Sequence, residues 1–302
     1  MRSTPTLDDV ARKAGVSTAT VSRCLNKPER VVKETRDRVL RAVEALGYTP
    51  NFGARVMAAK RTFTIGAIIP TMENAIFARG IQAFQEELHR RGYTLLVSST
   101  GYRPGAEEEQ VRTLVGRGAD GLLLIGYDRD PALYDYLDRQ GVPALIAWAH
   151  QPQIDRPAIG FDNRAAMAEL AQGLAPADLL EIQTPYGIET AERAMETLMQ
   201  AAPRPTVVMC GNDVLAAGAL RAARLMGLSV PQDVSVTGFD DIELARIVTP
   251  ALTTVHLPHR DMGTKAATAL IALVEGALEV PAAVKLDTVV TLRDSLGPVP
   301  AD

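Results

Sequence analysis

The hydrophobic pattern near the N-terminus predicts a short helix over about residues 7–14. Thr6 and Asp9 have the spacing of a capping box, in which each side chain bonds the backbone amide of the other residue. Gly15 can adopt the left-handed conformation that often ends a helix. The apolar positions repeat with the helical period and predict an inner face: Leu7, Val10, Ala11 and Ala14.

A second amphipathic helix is predicted over residues 16–26. Ser17 is a suitable N-cap, because its hydroxyl can accept from the free amides of the first turn. Val21, Cys24 and Leu25 fall on the inner side. The outer side has small polar residues, one arginine and no carboxylate: Thr18, Ala19, Ser22, Arg23 and Asn26. This side could enter a DNA major groove without charge repulsion, or it could be the polar face of an ordinary helix.

A third helix is predicted over about residues 34–46, ending at Gly47. Two short helices joined by a glycine-containing turn form a helix-turn-helix, in which the second helix reads DNA. The third helix would complete a small core that holds the reading helix rigid. Its predicted inner positions are Val39, Leu40, Val43 and Leu46.

From residue 62 the pattern changes to continuous apolar strands that alternate with helices. Strands are predicted at 64–70, 93–99, 121–126, 143–148, 158–162, 206–210 and 234–239. Helices are predicted at 77–91, 106–116, 131–140, 191–200, 214–226 and 261–275. This alternation indicates parallel sheets covered on both faces.

The predicted fold class is therefore an all-α helix-turn-helix headpiece (1–50), a linker (51–61) and an α/β body (62–302) of two doubly wound, parallel-sheet subdomains. The first subdomain would comprise about 62–162 with a crossover near 252–270, and the second about 175–250 with 275–295. Ligands in such folds bind at the carboxyl ends of the strands, so we predict a site in the cleft between the subdomains.

Charge is distributed unevenly along the chain. The net charge is −4, yet residues 1–61 hold 13 Lys+Arg and 6 Asp+Glu, a net of +7, and the other 241 residues hold 19 and 30, a net of −11. A basic head on an acidic body is expected of a DNA-binding segment attached to a sensor or an enzyme. Cys24 and Cys210 have no metal-site spacing, and no apolar run reaches membrane-spanning length, so we expect a cytoplasmic protein.

Residues 6–26 and 35–51 together resemble the headpiece of the lactose-repressor (LacI/GalR) family. The resemblance implies a homodimer that binds a double-stranded, pseudo-palindromic operator. It places Thr18 and Ala19 at the main base-reading positions, with Ser22 and Arg23 close behind. Because the side chains at 18 and 19 are small, Arg23 would make most of the direct guanine contacts. Phosphate contacts are implied for Thr6, Ser17, Asn26, Thr35 and Tyr48.

Residues 51–60 form a weak helix on their own, since they include a glycine and lack an apolar stripe. Considered alone they indicate a linker. The family resemblance implies instead a hinge helix that becomes ordered in the minor groove, with DNA contacts from Asn51, Ala54, Arg55 and Met57. Met57 stands where the family usually has a leucine wedge, and methionine is apolar and flexible enough for the same insertion.

The body resembles the sensor domain of the same family, which is similar to periplasmic sugar-binding proteins. The matching stretches are 121–125, 211–213, 230–241 and 250–255. The resemblance implies cleft-lining roles for Asn74, Phe77, Asn212, Asp213 and Asp240. From the residues alone, Asp213 and Asp240 could instead cap the helices that follow them, and Trp148 could be either a cleft wall or plain core.

The sequence departs from the family pattern near residues 174–179, where a strand-and-helix unit of roughly 30–40 residues and its basic ligand contact are missing. Either Leu179–Gln183 fills the gap in a smaller sheet, or the second subdomain is poorly stable. Residues 101–107 and 160–163 resemble the gluconate-repressor branch, which suggests a sugar or a sugar acid as effector.

The leading prediction is a sequence-specific transcription regulator, usually a repressor of sugar or sugar-acid genes, whose ligand shifts a population between DNA-competent and incompetent states. The alternatives are a regulator that has lost its effector response, a cytoplasmic sugar-binding protein tethered by its head, and an enzyme. The sequence shows no nucleophile elbow, phosphate loop or metal constellation, so we expect no catalysis, cofactor or metal.

His256 and His259 suggest a surface or hinge role. No heptad repeat follows Asp294, so we do not expect a tetramer.

Overall fold

The computed structural model describes residues 5–26, 28–49, 61–151, 156–172, 179–277 and 283–298, and the chain forms two compact units, Met1–Thr62 and Phe63–Asp302. The predicted hinge contacts Asn51, Ala54, Arg55 and Met57 lie outside the described residues, as does most of the junction at 174–179. None of the helices in these described ranges is long and apolar enough to cross a membrane.

The first unit is called the head below, and its described residues form α1 (Leu7–Ala14), α2 (Thr18–Asn26), a 3₁₀ helix (Pro28–Arg30) and α3 (Lys33–Leu46). The predicted capping box is confirmed at the start of α1. The amide of Thr6 donates to Oδ2 of Asp9 over 2.9 Å, and the amide of Asp9 donates to Oγ1 of Thr6 over 3.3 Å. Gly15 and Gly47 end α1 and α3 in the left-handed conformation, with φ of 64° and 63°.

The head core takes side chains from all three helices: Val10, Ala11, Ala14, Val21, Cys24, Val39, Ala42 and Tyr48. The predicted inner faces of α1 and α2 are confirmed. For α3, the prediction is wrong at Leu40, which is 46% exposed, and Ala42 is buried instead. The reason is the helical period: Leu40 is one residue, about 100°, away from Val39 around the helix, whereas Ala42 lies on the same face as Val39.

The second unit, called the body, alternates strands and helices. Its strands are β1 (Thr64–Ile69), β2 (Thr94–Ser99), β3 (Gly121–Ile125), β4 (Ala144–Ala147), β5 (Ala158–Phe161), β6 (Val207–Met209), β7 (Ser235–Thr237), β8 (Thr254–His256), β9 (Ala283–Leu286) and β10 (Val289–Thr291). Its helices are α4 (Ala75–Arg90), α5 (Ala106–Gly116), α6 (Pro131–Gln140), α7 (Asn163–Leu170), α8 (Ile188–Leu198), α9 (Asp213–Leu225), α10 (Leu244–Ile247) and α11 (His259–Val274).

The larger sheet is parallel, with the strand order β2–β1–β3–β4–β5–β9 among the described residues. Helices cover both of its faces, as the alternation of β1 shows. Ile65 and Ala67 belong to the core cluster of α4 and α11, whereas Ile68 belongs to the cluster of α5 and α6. The doubly wound prediction is confirmed for this first subdomain. Burial of every β1 residue explains its continuous apolar sequence.

The second subdomain has a much smaller sheet. In the part of the chain that the structure describes, it consists of β6 and β7 in parallel register, packed against α8 and α9. The amide of Ser235 donates to the carbonyl of Thr206, and the amide of Cys210 donates to the carbonyl of Thr237. Residues of a strand alternate in direction, so the backbone groups of Val207 and Met209 point away from β7. One edge of β6 therefore has no strand partner among the described residues.

The Leu179–Gln183 segment has no strand structure, so it does not complete this sheet. Leu179 is 68% exposed, and its neighbour Leu180 is also exposed. The segment lies instead along an apolar groove beside β6, with a cavity of about 530 Å³ whose opposite wall includes Met195 and Leu198 of α8. Of the two outcomes that the sequence left open, the smaller sheet filled by this segment is wrong.

The C-terminal segment serves both subdomains, where the sequence analysis assigned 275–295 to the second. β9 pairs in parallel with β5 at the edge of the larger sheet. Ser295 returns to the second subdomain, where its hydroxyl donates to the carbonyl of Val236 over 2.6 Å. A further link is made by Thr254, whose hydroxyl donates to Oδ1 of Asp213 over 2.5 Å. The small sheet is thus held largely by segments that are distant in the sequence.

Candidate DNA-reading helix and effector cleft

The N-terminus of α2 is organised by Ser17. Its Oγ accepts from the amide of Thr20 over 3.2 Å, and the two hydroxyl oxygens are 2.9 Å apart. This bond satisfies one of the free amides of the first turn, as an N-cap should. Thr18, Ala19 and Arg23 are exposed on the outer face, and Ser22 is half-buried. The four predicted base-reading residues therefore share one side of a capped helix.

The predicted phosphate contacts differ in their surroundings. Thr6 is exposed, but its hydroxyl donates to Oδ2 of Asp9 over 2.7 Å, so the capping box uses its proton. Thr35 is half-buried in the first turn of α3. Tyr48 is only 8% exposed because its ring packs into the head core. Asn26 is the last residue of α2, and its side chain lies outside the described set.

A cleft of about 380 Å³ lies at the carboxyl ends of the strands in the body. One wall follows β1, β3 and β4, and the other follows β6 and β7. Parallel strands commonly place a ligand site there. Five of the six predicted effector residues line it: Asn74, Phe77, Trp148, Asn212 and Asp240. Asp213 is not among the lining residues.

Two aromatic rings form the floor of this cleft. Phe77 of α4 and Trp148, which follows β4, have ring centroids 5.7 Å apart, and both are buried. Trp148 has a φ of 67°, an unusual conformation for a bulky residue and one that aims its side chain toward α4. Gly80 leaves room for it, since a Cβ there would come within 2.7 Å of the indole. The indole Nε1 has no partner among the described residues.

Asn74 and Asn212 are helix N-caps that face the cleft. Oδ1 of Asn74 accepts from the amide of Ile76 over 3.2 Å at the start of α4. Oδ1 of Asn212 accepts from the amide of Leu215 over 2.8 Å at the start of α9. Each cap uses only the carbonyl side of the amide, so the NH₂ group is left to donate. The same residue thus begins a helix and presents a donor to a ligand.

Asp213 has a structural role outside the cleft. It is the first residue of α9 rather than its cap, and its carboxyl group accepts from the hydroxyl of Thr254 and from the amide of Ile242 over 2.7 Å. Burial raises the pKa of Asp213 to about 6, against the opposing effect of these hydrogen bonds. The cap position belongs to Asn212, so neither the cleft role nor the capping alternative describes this residue.

Asp240 follows β7 and is almost fully buried in the cleft lining. It does not cap a helix, because the next helix, α10, begins at Leu244. Burial raises the pKa of Asp240 to about 8, and the nearby carboxyl group of Asp213 adds to the increase. The carboxyl group is therefore mostly protonated at neutral pH, so it can donate one hydrogen bond as well as accept.

His259 lines the cleft and is buried, so the surface role suggested for it from the sequence is wrong. It begins α11, is 3% exposed, and places Nε2 at 3.8 Å from Oδ1 of Asp240. Burial lowers the pKa of His259 to about 3, so the imidazole is neutral and this contact is not an ion pair at neutral pH. Neither ring nitrogen has a partner in the described chain. His259 lies three residues before Met262 and seven before Ala266, both buried, and this helical spacing could have predicted its burial.

The sequence analysis missed two tyrosines at the mouth of the cleft. Tyr102 comes from the loop after β2 and Tyr186 from the segment before α8, and their ring centroids are 6.1 Å apart. His256, by contrast, is half-exposed outside the cleft lining, with Nδ1 at 3.1 Å from Oδ2 of Asp241. No lysine or arginine lines the cleft among the described residues. The described lining is therefore polar and aromatic, and Arg79, whose charge acts on Asp240 and His259, lies outside it.

Models of known protein families match along most of the chain. Residues 6–51 match the bacterial regulatory proteins of the lacI family. Residues 62–178 match the periplasmic binding proteins and sugar-binding domain of the LacI family, and residues 134–296 match a periplasmic binding protein-like domain. The boundary between the first two matches falls where the head and the body separate.

Curated relatives include the HTH-type transcriptional repressor PurR of Vibrio campbellii, which is 32% identical over 298 residues and covers 86% of this chain and 89% of the relative. The protein of the same name from Erwinia tasmaniensis is 32% identical over 299 residues, with 86% and 88% covered.

Among solved structures, the lac repressor dimer bound to operator and the anti-inducer ONPF has a TM-score of 0.82 and 26% identity, with 98% of this chain and 100% of that chain covered. A complex of the transcriptional regulator CelR with cellobiose has a TM-score of 0.65 and 27% identity, with 96% and 99% covered. The matches include both the helix-turn-helix head and the periplasmic-binding-protein-like body, and the chain belongs to the LacI family of transcriptional regulators.

Proposed function

We propose that this protein is a homodimeric repressor that binds a pseudo-palindromic operator through α2 and responds to an uncharged polyhydroxyl ligand, a neutral sugar, in the cleft. The observation that carries the ligand class is the lining itself: a protonated carboxyl group, a neutral imidazole, three amides and aromatic rings, with no lysine or arginine among the described residues. In this proposal the protein acts in the cytoplasm and catalyses no reaction.

The chemistry of the cleft suits hydroxyl groups. Oδ1 of Asp240 and Nε2 of His259 are 3.8 Å apart, too far to bond each other but close enough to bond one hydroxyl between them. The NH₂ groups of Asn74 and Asn212 and the indole of Trp148 supply further donors, and Phe77 supplies an apolar face for a ring. Each unpartnered buried group costs free energy that a ligand hydroxyl would recover.

A sugar acid fits the same lining poorly. Its carboxylate would be buried beside Asp240 with no cation among the described lining residues, because Arg79, whose charge acts on Asp240, lies outside the lining. A buried charge without a direct partner costs several kcal/mol. The proposal is tested by calorimetric titration with matched pairs, such as glucose with gluconate and galactose with galacturonate. We expect a neutral sugar to bind at least tenfold more tightly than its acid. Tighter binding of the acid would contradict the ligand class, and binding of neither would favour a regulator without effector response.

The DNA-binding role depends on the outer face of α2, where Arg23 is exposed and no carboxylate opposes the phosphates. An operator would be selected from a pool of random duplexes and compared with its scrambled sequence over a range of salt concentrations. Specific binding should weaken steeply as salt increases. Arg23→Ala should reduce the preference for the operator by tenfold or more, because one good base contact discriminates by about 1–3 kcal/mol.

The matched control is Arg12→Ala on α1. Arg12 is 78% exposed, and its Nη2 lies 3.6 Å from Oδ1 of Asp9 on the same helix, so this variant removes the same charge away from the reading face. Arg12→Ala should lower the affinity for the operator and for the scrambled duplex by similar factors. Unchanged operator preference in Arg23→Ala would refute the assignment of α2 as the reading helix.

A further inference from the structure

Arg129 is buried behind the cleft wall and uses its whole guanidinium group. Its side chain is 2% exposed. Nε and Nη2 donate to the two carboxyl oxygens of Glu107 over 3.1 and 3.0 Å. Nη2 also donates to the carbonyl of Ile125 over 2.9 Å, and Nη1 donates to the carbonyl of Gly126 over 2.7 Å. The remaining donor of Nη1 reaches the hydroxyl of Tyr134 over 2.7 Å. All five donors are therefore used.

These bonds join three elements at the carboxyl end of β3. Glu107 lies in the first turn of α5, and Tyr134 belongs to α6. Ile125 and Gly126, whose carbonyl groups Arg129 holds, are themselves cleft-lining residues. Gly126 has a φ of 67°, so the chain turns sharply there. The guanidinium group thus fixes the place where β3 ends and the cleft wall begins.

The same turn supports the neighbouring wall through Tyr127. The hydroxyl of Tyr127 donates to the carbonyl of Ala149 over 3.0 Å and accepts from the amide of Gln151 over 3.2 Å. Ala149 lines the cleft directly after Trp148, whose backbone has the unusual positive φ. The segment from Gly126 to Arg129 therefore stabilises, through these hydrogen bonds, the loop that directs the side chain of Trp148 into the cleft.

We propose that Arg129 is a positioning residue for the effector cleft: it touches no ligand but sets the position of the β3 wall and, through Tyr127, the orientation of Trp148. This inference rests on the proposed role of the cleft as an effector site. A lysine would replace Arg129 only in part, because its three donors form no planar fork and cannot hold Glu107 and two carbonyl groups together.

The primary test needs no ligand, because Trp148 is the only tryptophan in the chain. Acrylamide quenching of its fluorescence would be measured in the full-length protein and in Arg129→Met, Arg129→Lys and Tyr127→Phe. Tyr127→Phe removes one hydroxyl group and keeps the ring, so we expect it to fold. We expect the quenching constant to increase at least twofold in Arg129→Met and Tyr127→Phe, and less in Arg129→Lys.

The matched control is Arg112→Lys. Arg112 makes a two-bond pair with Glu108, over 3.0 and 2.8 Å, on the same helix as Glu107, but this pair is exposed and lies outside the cleft. The Arg112→Lys variant should leave the quenching constant of Trp148 unchanged. If Arg129→Met and Tyr127→Phe both leave Trp148 as shielded as in the parent protein, the positioning role is refuted, whatever their effect on stability.

A second measurement, the affinity for a neutral sugar, tests whether Arg129 affects ligand binding. For a neutral sugar that binds the parent protein, Arg129→Met should weaken binding at least tenfold while leaving operator affinity without sugar unchanged. Equal sugar affinity in the parent and in Arg129→Met would overturn the inference. If no sugar binds the parent protein, the proposed ligand class fails by itself, and the quenching measurement still decides the role of Arg129.

Discussion

Replacing Asp240 with asparagine should remove most of the pH dependence of body stability between pH 6.5 and 8. Burial, with a contribution from Asp213, raises the pKa of Asp240 to about 8 in the folded protein. In the unfolded chain an aspartate titrates near ~3.9. Across this interval the folded state holds a proton that the unfolded state has lost. The free energy of unfolding therefore decreases as the pH increases toward 8, and asparagine, which cannot titrate, abolishes the effect.

The expected magnitude follows from one proton. A full proton difference changes stability by about 1.4 kcal/mol per pH unit, and partial titration near pH 8 reduces the total over this interval to about 1–2 kcal/mol. His259 contributes little and in the opposite direction. Burial lowers its pKa to about 3, and a histidine in the unfolded chain has lost most of its proton above ~7.

The assay is urea unfolding at pH 6.5 and pH 8, followed by the emission of Trp148, which reports on the body alone. The parent protein should lose about 1–2 kcal/mol between the two pH values, a shift of several tenths of a molar in the urea midpoint. Asp240→Asn should show little shift, and Asp128→Asn, at an exposed position, should behave as the parent does. The reasoning is refuted if Asp240→Asn keeps the parent's pH dependence.

Three further predictions concern single contacts. Gly80→Ala should destabilise the body by about 1–3 kcal/mol, since its Cβ meets the Trp148 ring, whereas Gly116→Ala, with open space around it, should be neutral or stabilising; thermal unfolding would show both. His259→Phe should weaken neutral-sugar binding at least tenfold in calorimetry without changing operator affinity, and equal sugar affinity would exclude a ligand contact. Thr6→Ala should destabilise the head by about 1 kcal/mol in circular dichroism melts, through loss of the capping box.

Local features of the sequence predicted local structure well. The capping box of α1, the inner faces of α1 and α2, and the helices at 106–116 and 131–140 follow from spacing and period, and the structure has them with the predicted bounds. Strands β1, β3, β4 and β5 of the larger sheet were predicted because burial on both faces requires continuous apolar runs, whereas β9 was not predicted. Asn74, Phe77 and Asn212 of the cleft were found through family resemblance, since no local pattern distinguishes them from core or cap residues.

Features that depend on distant parts of the chain were not predicted. The pairing of β9 with β5 joins segments more than a hundred residues apart, and neither segment encodes its partner. The roles of Asp213 and His259 depend on which groups surround them in the folded body, and the burial that shifts their pKa values is a property of that packing. Arg129 was overlooked for the same reason, because its partners come from three separate elements.

The edge of β6 without a described strand partner has a consequence for energetics. Among the described residues β6 pairs with β7 alone, and the other side of β7 is bonded to distant segments, through the carbonyl groups of Thr253, Val255 and Ser295 and the side chains of Ser295 and Thr254. Local unfolding of the second subdomain should therefore precede global unfolding, so that its amides exchange hydrogen faster than those of β1.

A ligand that bridges Asn212 and Asp240 to Trp148 and His259 would bind only when that subdomain is ordered. The observed affinity is then the intrinsic affinity reduced by the ordered fraction, and saturation with ligand slows exchange throughout β6 and β7. Binding and the last step of folding become a single equilibrium in this subdomain.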